Sequence, residues 1–222
     1  MRTESDPAQT RLEMRRAMLT LSARRQRAGS GSDLRGLLGR GATRMEWWQQ
    51  AENALSPIPH AVVGAVAAAA YMPARATADL DLAVAETVAR RLESQLQARG
   101  WQRRGRLSMV GLQGTSWVTA AGHPVDVIYL PGAWGETAIA AARNNIIEGL
   151  PILPLPYLAL MKLLASRLVD TGDLARMLGH QDEATLAAVR QVITTYGRPE
   201  DVADLEQIIA LGQLEYEGQG PD

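Results

Sequence analysis

The chain has 222 residues, of which 46% are hydrophobic, so it can bury a substantial core and is not disordered as a whole. It contains no cysteine, which excludes disulfide bonds and thiolate metal sites. No apolar run reaches the length of a membrane span, and no apolar signal-peptide core follows the first arginine. We therefore expect a cytoplasmic protein without a membrane partner.

Charge is unevenly distributed, although the net charge of the whole chain is only −1. Residues 1–44 hold ten arginines against four acidic residues, a net charge of +6, which leaves −7 on the rest. A basic arm on an acidic body can bind nucleic acid. The alternative is a solvated, poorly ordered segment. Either way, residues 1–44 are predicted to be an N-terminal extension, partly helical or disordered.

The predicted elements alternate at first and are helical later. In chain order they are helices at 7–28 and 44–55, a strand at 60–64, a helix at 65–72, a strand at 78–84, a helix at 86–99, and strands at about 101–109, 115–120 and 124–130. A proline-rich connector at 150–156 precedes helices at about 156–168, 171–179, 182–195 and 199–215. This order predicts an α/β or α+β core over 45–150, with a mixed sheet flanked by helices, and a helical region over 151–222.

Residues 75–81 place two aspartates two positions apart, Asp79 and Asp81. In a strand, side chains two apart share a face, so both carboxylates are expected side by side, with Leu80 and Leu82 behind them. Neighbouring carboxylates repel each other, and a divalent cation between them removes that cost. Hard oxygen ligands suit Mg²⁺. Because Asp-x-Asp also occurs on ordinary surface strands, its context decides whether it marks a metal site.

Asp126 is the third carboxylate candidate, since it is the one charged residue of an otherwise apolar strand at 125–130. A buried aspartate is costly unless it is paired or bound to metal. The alternative is a half-exposed strand with one polar edge. Together, Asp79, Asp81 and Asp126 predict a three-carboxylate site for Mg²⁺ or Mn²⁺. Such a site suits nucleotidyl transfer, with Asp126 helping to activate the attacking hydroxyl.

Two further features suit phosphate binding. Gly64 ends an apolar run, and a helix is predicted from Ala65, so backbone amides there can approach phosphates closely. Lys162 is the only lysine among 23 basic residues and is expected to bring an ammonium group to the nucleotide. Ser166, four residues later, is predicted on the same helical face.

The helix that carries Lys162 also fits a purely structural role. Arg167 and Asp170 can form an ion pair, and Asp173 follows one turn further on. The alternative to a functional role is therefore an ordinary solvated helix that carries an Arg–Asp pair.

Together these segments resemble the nucleotidyltransferase superfamily, whose fold is similar to the palm of polymerase β. In that family a glycine turn opens a helix, an Asp-x-Asp follows, and a later strand carries a third aspartate, as at 63–65, 75–81 and 125–127. The segment 158–174 is similar to the Lys-x4-Arg-x2-Asp-x2-Asp block of AbiEii-type nucleotidyltransferases, which include abortive-infection and MenT-like toxins. The matching segments span about residues 60–180.

The resemblance implies a nucleotidyltransferase-like mixed sheet and specific roles for individual residues. The three aspartates would be metal ligands and, with Lys162, catalytic residues. Nucleotide binding would involve Gly64, Ala65, Arg75, Thr77, Lys162, Arg167 and Asp173. Ala65 departs from the Gly or Ser of the family, which removes a hydroxyl contact to phosphate. Thr77 either places a hydroxyl near the phosphates or shapes the loop before the strand.

The resemblance also implies the reaction, which is transfer of a nucleoside monophosphate from an NTP to an acceptor hydroxyl. The toxin-like members suggest RNA, such as tRNA, as acceptor and an antitoxin as partner, and the basic arm suits RNA. One alternative acceptor is a small molecule such as an aminoglycoside, which the acidic body favours, or a protein side chain. Another alternative is a catalytically silent binding module.

Overall fold

A computed structural model describes residues 42–73 and 79–217 of the protein. The predicted helix at 7–28 and the candidate residues Arg75 and Thr77 lie outside the described residues. The described part of the chain forms two compact units, one within 42–158 and one of residues 159–217. Within this part, no helix is both long and apolar enough to cross a bilayer.

The unit within 42–158 is built on a sheet. Its strands are β1 (Ala61–Val62), β2 (Leu80–Ala85), β3 (Gln102–Ser108), β4 (Gln113–Val118) and β5 (Pro124–Leu130), and β6 (Ile146–Ile147) and β7 (Leu150–Pro151) form a separate pair. Its helices are α1 (Ala42–Leu55), α2 (Gly64–Ala68), α3 (Ala89–Ala98, after a 3-10 turn at Glu86–Val88) and α4 (Gly132–Ala142). The chain continues through α5 (Leu155–Ala165), α6 (Leu168–Gly179), α7 (Glu183–Tyr196) and α8 (Pro199–Glu217).

The five strands lie in the order β1-β2-β5-β4-β3. The central pair, β2 and β5, is parallel, and every other pair is antiparallel. Parallel neighbours cannot be joined by a tight turn, and here α3 and the β3–β4 hairpin occupy the connection. The predicted α/β class, a mixed sheet flanked by helices, is confirmed.

The apolar residues of the two central strands explain why they lie in the middle of the sheet. Leu80, Leu82 and Val84 of β2 and Val125 and Val127 of β5 are all at most 2% exposed. They share one face of the sheet, because the register pairs Leu80 with Val125 and Leu82 with Val127. Each such side chain contributes about 1.5–3 kcal/mol when it is removed from water. The opposite face is also buried at Ala83, Ile128 and Leu130, so Asp81 and Asp126 lie at the half-buried end of strands that are otherwise covered on both faces.

Two predicted elements are shorter than expected. The strand predicted at 60–64 is reduced to Ala61–Val62, because Gly64 has a φ of +63° and starts a helix instead. The helix predicted at 65–72 keeps only Gly64–Ala68 as regular helix. Pro73 disfavours helical backbone in the residue before it, so the chain leaves the helix through turns.

In residues 159–217, α6 and α8 approach each other at two glycines. A β-carbon on Gly212 would overlap the carbonyl of Ala175, and one on Gly179 would overlap the backbone of Gly212. The two helices therefore pack backbone to backbone at this point, at a distance that only glycine permits.

This contact gives a test with a matched control. Gly172 lies inside α6, and a β-carbon there would meet nothing within 4 Å. We expect Gly172→Ala to raise the free energy of unfolding by up to about 1 kcal/mol, since alanine favours helix. Gly212→Ala should lower it by about 1–3 kcal/mol, because the helices must separate. Urea unfolding followed by circular dichroism measures both, and equal effects of the two substitutions would contradict the contact.

Candidate metal centre

The pairing of β2 with β5 places two aspartates next to each other. Asp81 lies directly opposite Asp126 in the parallel register. Asp79 precedes Asp81 by two positions, so its side chain is on the same face of the sheet. That face is opposite to the one formed by Leu80, Leu82 and Val127, because neighbouring residues of a strand alternate.

The three carboxylates converge at this point. One oxygen from each of Asp79, Asp81 and Asp126 lies within 4.8 Å of the others, and all three residues are half-buried. Two oxygens on opposite sides of one divalent ion are about 4–5 Å apart, given metal–oxygen distances of about 2.0–2.6 Å. The donor atoms are hard oxygens, which suit Mg²⁺ or Mn²⁺. The acidic triad therefore can hold a divalent metal ion.

Gly64 lies against this cluster. The amide of Val63 donates a 2.9 Å hydrogen bond to the carbonyl of Asp81, which holds the end of β1 beside β2. Gly64 follows with a positive φ, and a β-carbon at this position would overlap the Asp81 carboxylate. Glycine is thus required here both for backbone conformation and for space. Ala65, the next residue, is buried at 3% exposure.

Ser116 also belongs to this surface, although no motif in the sequence marks it. It lies on β4 directly opposite Asp126, so Asp81, Asp126 and Ser116 form one row across three strands. Side chains opposite each other on neighbouring strands point the same way, with β-carbons about 4.5–5.5 Å apart. Its half-buried position next to Asp126 is evident only from the register.

Lys162 lies in the unit of residues 159–217 and is buried at 1% exposure. Its ammonium group donates hydrogen bonds to Asp170 at 3.0 Å and to Asp173 at 2.7 Å. The predicted pair of Arg167 with Asp170 is confirmed, at 2.7 Å. The alternative of an ordinary solvated helix is wrong, because Lys162, Asp170 and Asp173 form a buried charge cluster. Such a cluster is stable only while every charge keeps its partner.

The single helix predicted at 156–168 is also wrong. The helix α5 ends at Ala165, Ser166 has a φ of +53°, and α6 begins at Leu168. Lys162 and Ser166 therefore do not share the face of one continuous helix. The break lets Asp170 and Asp173, in the first turns of α6, return to Lys162 in the last turn of α5.

No protein-family model and no curated protein sequence matches the chain. Among solved structures, it aligns with a cytoplasmic RNA terminal U-transferase and with a poly(U) polymerase, each with a TM-score of 0.31 and 12% identity. The alignments cover 70% and 71% of this chain but 45% and 47% of those proteins. The chain thus spans less than half of their length.

The carboxylate cluster predicts a metal-dependent gain in stability. Mn²⁺ or Mg²⁺ should raise the melting temperature, because a ligand that binds only the folded state stabilises it, by about 2.7 kcal/mol at 100 times Kd. Asp126→Asn should lose this gain, since one donor is removed. Thermal unfolding with and without metal measures both effects.

Glu52→Gln is the matched control, since it removes one carboxylate from the exposed side of α1. It should keep the full metal-induced rise in melting temperature. Gly64→Ala should lose the rise as Asp126→Asn does, because its methyl group would displace the Asp81 carboxylate. A full metal-induced rise in Asp126→Asn would contradict the site.

The Lys162 cluster predicts a pH dependence. Burial alone would raise the pKa of Asp170, but the hydrogen bond from Arg167 and the charge of Lys162 hold the pKa below its usual value. Because the pKa is lower in the folded state, the ionised carboxylate of Asp170 stabilises the fold. This stabilisation is fully present above the unfolded-state pKa of about 3.9, and it is lost as the pH falls through the folded-state pKa. At neutral pH, Asp170→Asn should cost about 3–5 kcal/mol of unfolding free energy.

The difference in unfolding free energy between wild type and Asp170→Asn should therefore shrink as the pH falls below about 4. Urea unfolding at a series of pH values measures it. A difference that stays constant down to acid pH would show that the ionised carboxylate of Asp170 does not stabilise the fold.

Proposed function

We propose that the protein is a metal-dependent nucleotidyltransferase, which moves a nucleoside monophosphate from an NTP to an acceptor hydroxyl and releases pyrophosphate. The proposal rests on the carboxylates of Asp79, Asp81 and Asp126, which converge beside the backbone of Gly64, where no side chain intervenes. The resemblance of residues 63–65, 75–81, 125–127 and 158–174 to nucleotidyltransferase motifs supports it independently of that geometry.

The three aspartates would hold Mg²⁺ or Mn²⁺. A divalent ion supplies neutralisation of triphosphate charge and polarisation of the α-phosphorus. Asp126 would also help to activate the acceptor hydroxyl, either as a ligand of a second metal ion or as a general base. Gly64 leaves room for phosphate oxygens at the backbone, where the amide of Ala65 can donate to them.

Further nucleotide contacts are proposed for Arg75, Thr77, Lys162, Arg167 and Asp173, on the strength of the resemblance. The ammonium of Lys162 is bound to Asp170 and Asp173. To act on a phosphate, it would exchange one of these carboxylates for a phosphate oxygen. An ammonium in that position would stabilise negative charge that develops in the transition state.

RNA is the acceptor that we favour, with tRNA as the specific candidate, and the protein would then act in the cytoplasm as the toxin of a toxin–antitoxin pair. The AbiEii-like block at 158–174 and the net charge of +6 on residues 1–44 support this choice. The net charge of −7 on the remaining residues instead favours a cationic small molecule such as an aminoglycoside. A protein hydroxyl is the remaining acceptor class.

Transfer of label from each α-³²P-labelled NTP to total tRNA, in Mg²⁺ or Mn²⁺, tests the reaction. We expect Asp79→Asn and Asp81→Asn to lower the rate at least about 100-fold, because loss of a metal ligand removes the ion that activates the phosphate. Glu52→Gln should label at the wild-type rate. Equal labelling by wild type and Asp81→Asn would contradict the assignment of the carboxylates.

The same assay separates the acceptor classes when tRNA is replaced by an aminoglycoside or a protein extract. Label on the drug and never on RNA would decide for the small-molecule enzyme. A silent binding module would transfer no label to any acceptor, and calorimetry would detect no metal-dependent NTP binding.

A further inference from the structure

A polar cleft of about 650 Å³ lies on the other face of the sheet, between α3 and the strands β3, β4 and β5. Asp126 and Tyr129 are three residues apart on β5, so their side chains point to opposite faces. Tyr129 lines the cleft, whereas Asp126 belongs to the metal centre. The cleft is therefore separated from the carboxylate cluster by the thickness of the sheet.

A chain of hydrogen bonds forms one wall of this cleft. Trp117 Nε1 donates to Thr115 Oγ1 at 2.8 Å, and the Tyr129 hydroxyl donates to Glu93 Oε1 at 2.7 Å. The contact of 2.5 Å between the Thr115 and Tyr129 hydroxyls must then run from Thr115 to Tyr129, because each hydroxyl has one proton.

The protonation of Tyr129 fixes the direction of this chain. Burial, supported by the neighbouring Glu93, raises the pKa of Tyr129, so the phenol keeps its proton at neutral pH and remains a donor to that carboxylate. Because the hydroxyl protons of Thr115 and Tyr129 are both used, the wall is held in one arrangement. One carboxylate oxygen of Glu93 therefore accepts a hydrogen bond from Tyr129 at the edge of the cleft.

Three arginines line the opening, Arg90 from α3 and Arg103 and Arg106 from β3. Arg103 Nη2 is 3.7 Å from the same oxygen of Glu93, a distance at which an ion pair is weak. Among residues 42–73 and 79–217, neither Arg90 nor Arg106 forms an ion pair with a carboxylate. The lining also carries two carboxylates, Glu86 and Glu93, so the three guanidinium groups leave one positive charge in excess, which a bound anion would balance.

We propose that this cleft is a second binding site that takes a phosphate group. Guanidinium donors match phosphate oxygens in pairs, and Ser108 and Gln113 add neutral donors to the lining. The volume is large enough for a nucleotide. The phosphate can belong to a free nucleotide or to a nucleic-acid backbone. Because β3 is the edge strand, a longer chain can leave the cleft past it.

Binding in the absence of divalent cations tests this site separately from the metal centre. The full-length protein is titrated in EDTA with pyrophosphate, AMP and a short single-stranded oligoribonucleotide, and Kd is measured by calorimetry. We expect Arg106→Ala to weaken binding about tenfold, the usual effect of losing a charged hydrogen bond. Tighter binding of the oligoribonucleotide than of AMP identifies the nucleic-acid backbone as the source, and equal or weaker binding identifies free nucleotides.

Arg104→Ala is the matched control, since Arg104 is exposed on the same strand but does not line the cleft. It should bind as the wild type does, and both variants should keep the wild-type melting temperature. Equal weakening by Arg104→Ala and Arg106→Ala would overturn the proposal, because it would indicate diffuse charge. So would the absence of any binding in EDTA.

Asp81→Asn distinguishes this proposal from the proposed function. In EDTA it should bind all three ligands with the wild-type Kd, whether or not it transfers nucleotides. A tenfold loss of binding in Asp81→Asn would place the ligand at the carboxylate cluster and overturn the second site.

Discussion

The candidate site depends on the parallel register between β2 and β5. This register sets Asp81 opposite Asp126, and a slip of one residue would send one of the two carboxylates to the other face. Around the aspartates, this register also pairs the buried apolar residues of the two strands, Leu80 with Val125 and Leu82 with Val127. The same alternation that buries Leu82 and Val127 therefore brings the carboxylates together on the opposite face.

Burial of the apolar side chains of β2 and β5 stabilises the fold by more than the repulsion between the carboxylates destabilises it. Two unit charges about 4 Å apart interact by about 4 kcal/mol at the effective dielectric of a protein surface. Burial of Leu80, Leu82, Val125 and Val127 contributes about 1.5–3 kcal/mol for each side chain. The fold can thus hold three carboxylates close together, and a cation would find its ligands already assembled.

The sequence was sufficient for the parts of the site that depend on local periodicity. Asp79 and Asp81 share a face because strands repeat every two residues, and Asp126 was recognisable as an isolated charge in an apolar strand. The short β1 and α2 were less predictable, since they depend on the positive φ of Gly64 and on its close approach to Asp81, which no local pattern of the sequence marks. Similarly, the break at Ser166 exists because α6 turns back to Lys162 with two aspartates. Ser116 and the arginine-lined cleft depend on strand register, which one sequence does not specify.

The most direct test of the metal centre is a crystal structure of the protein grown with Mn²⁺, with anomalous scattering used to locate the metal. We expect a peak among the carboxylates of Asp79, Asp81 and Asp126, at about 2.0–2.6 Å from an oxygen of each. No anomalous density there at saturating Mn²⁺, with the three side chains ordered, would contradict the claim that these strands build a metal centre.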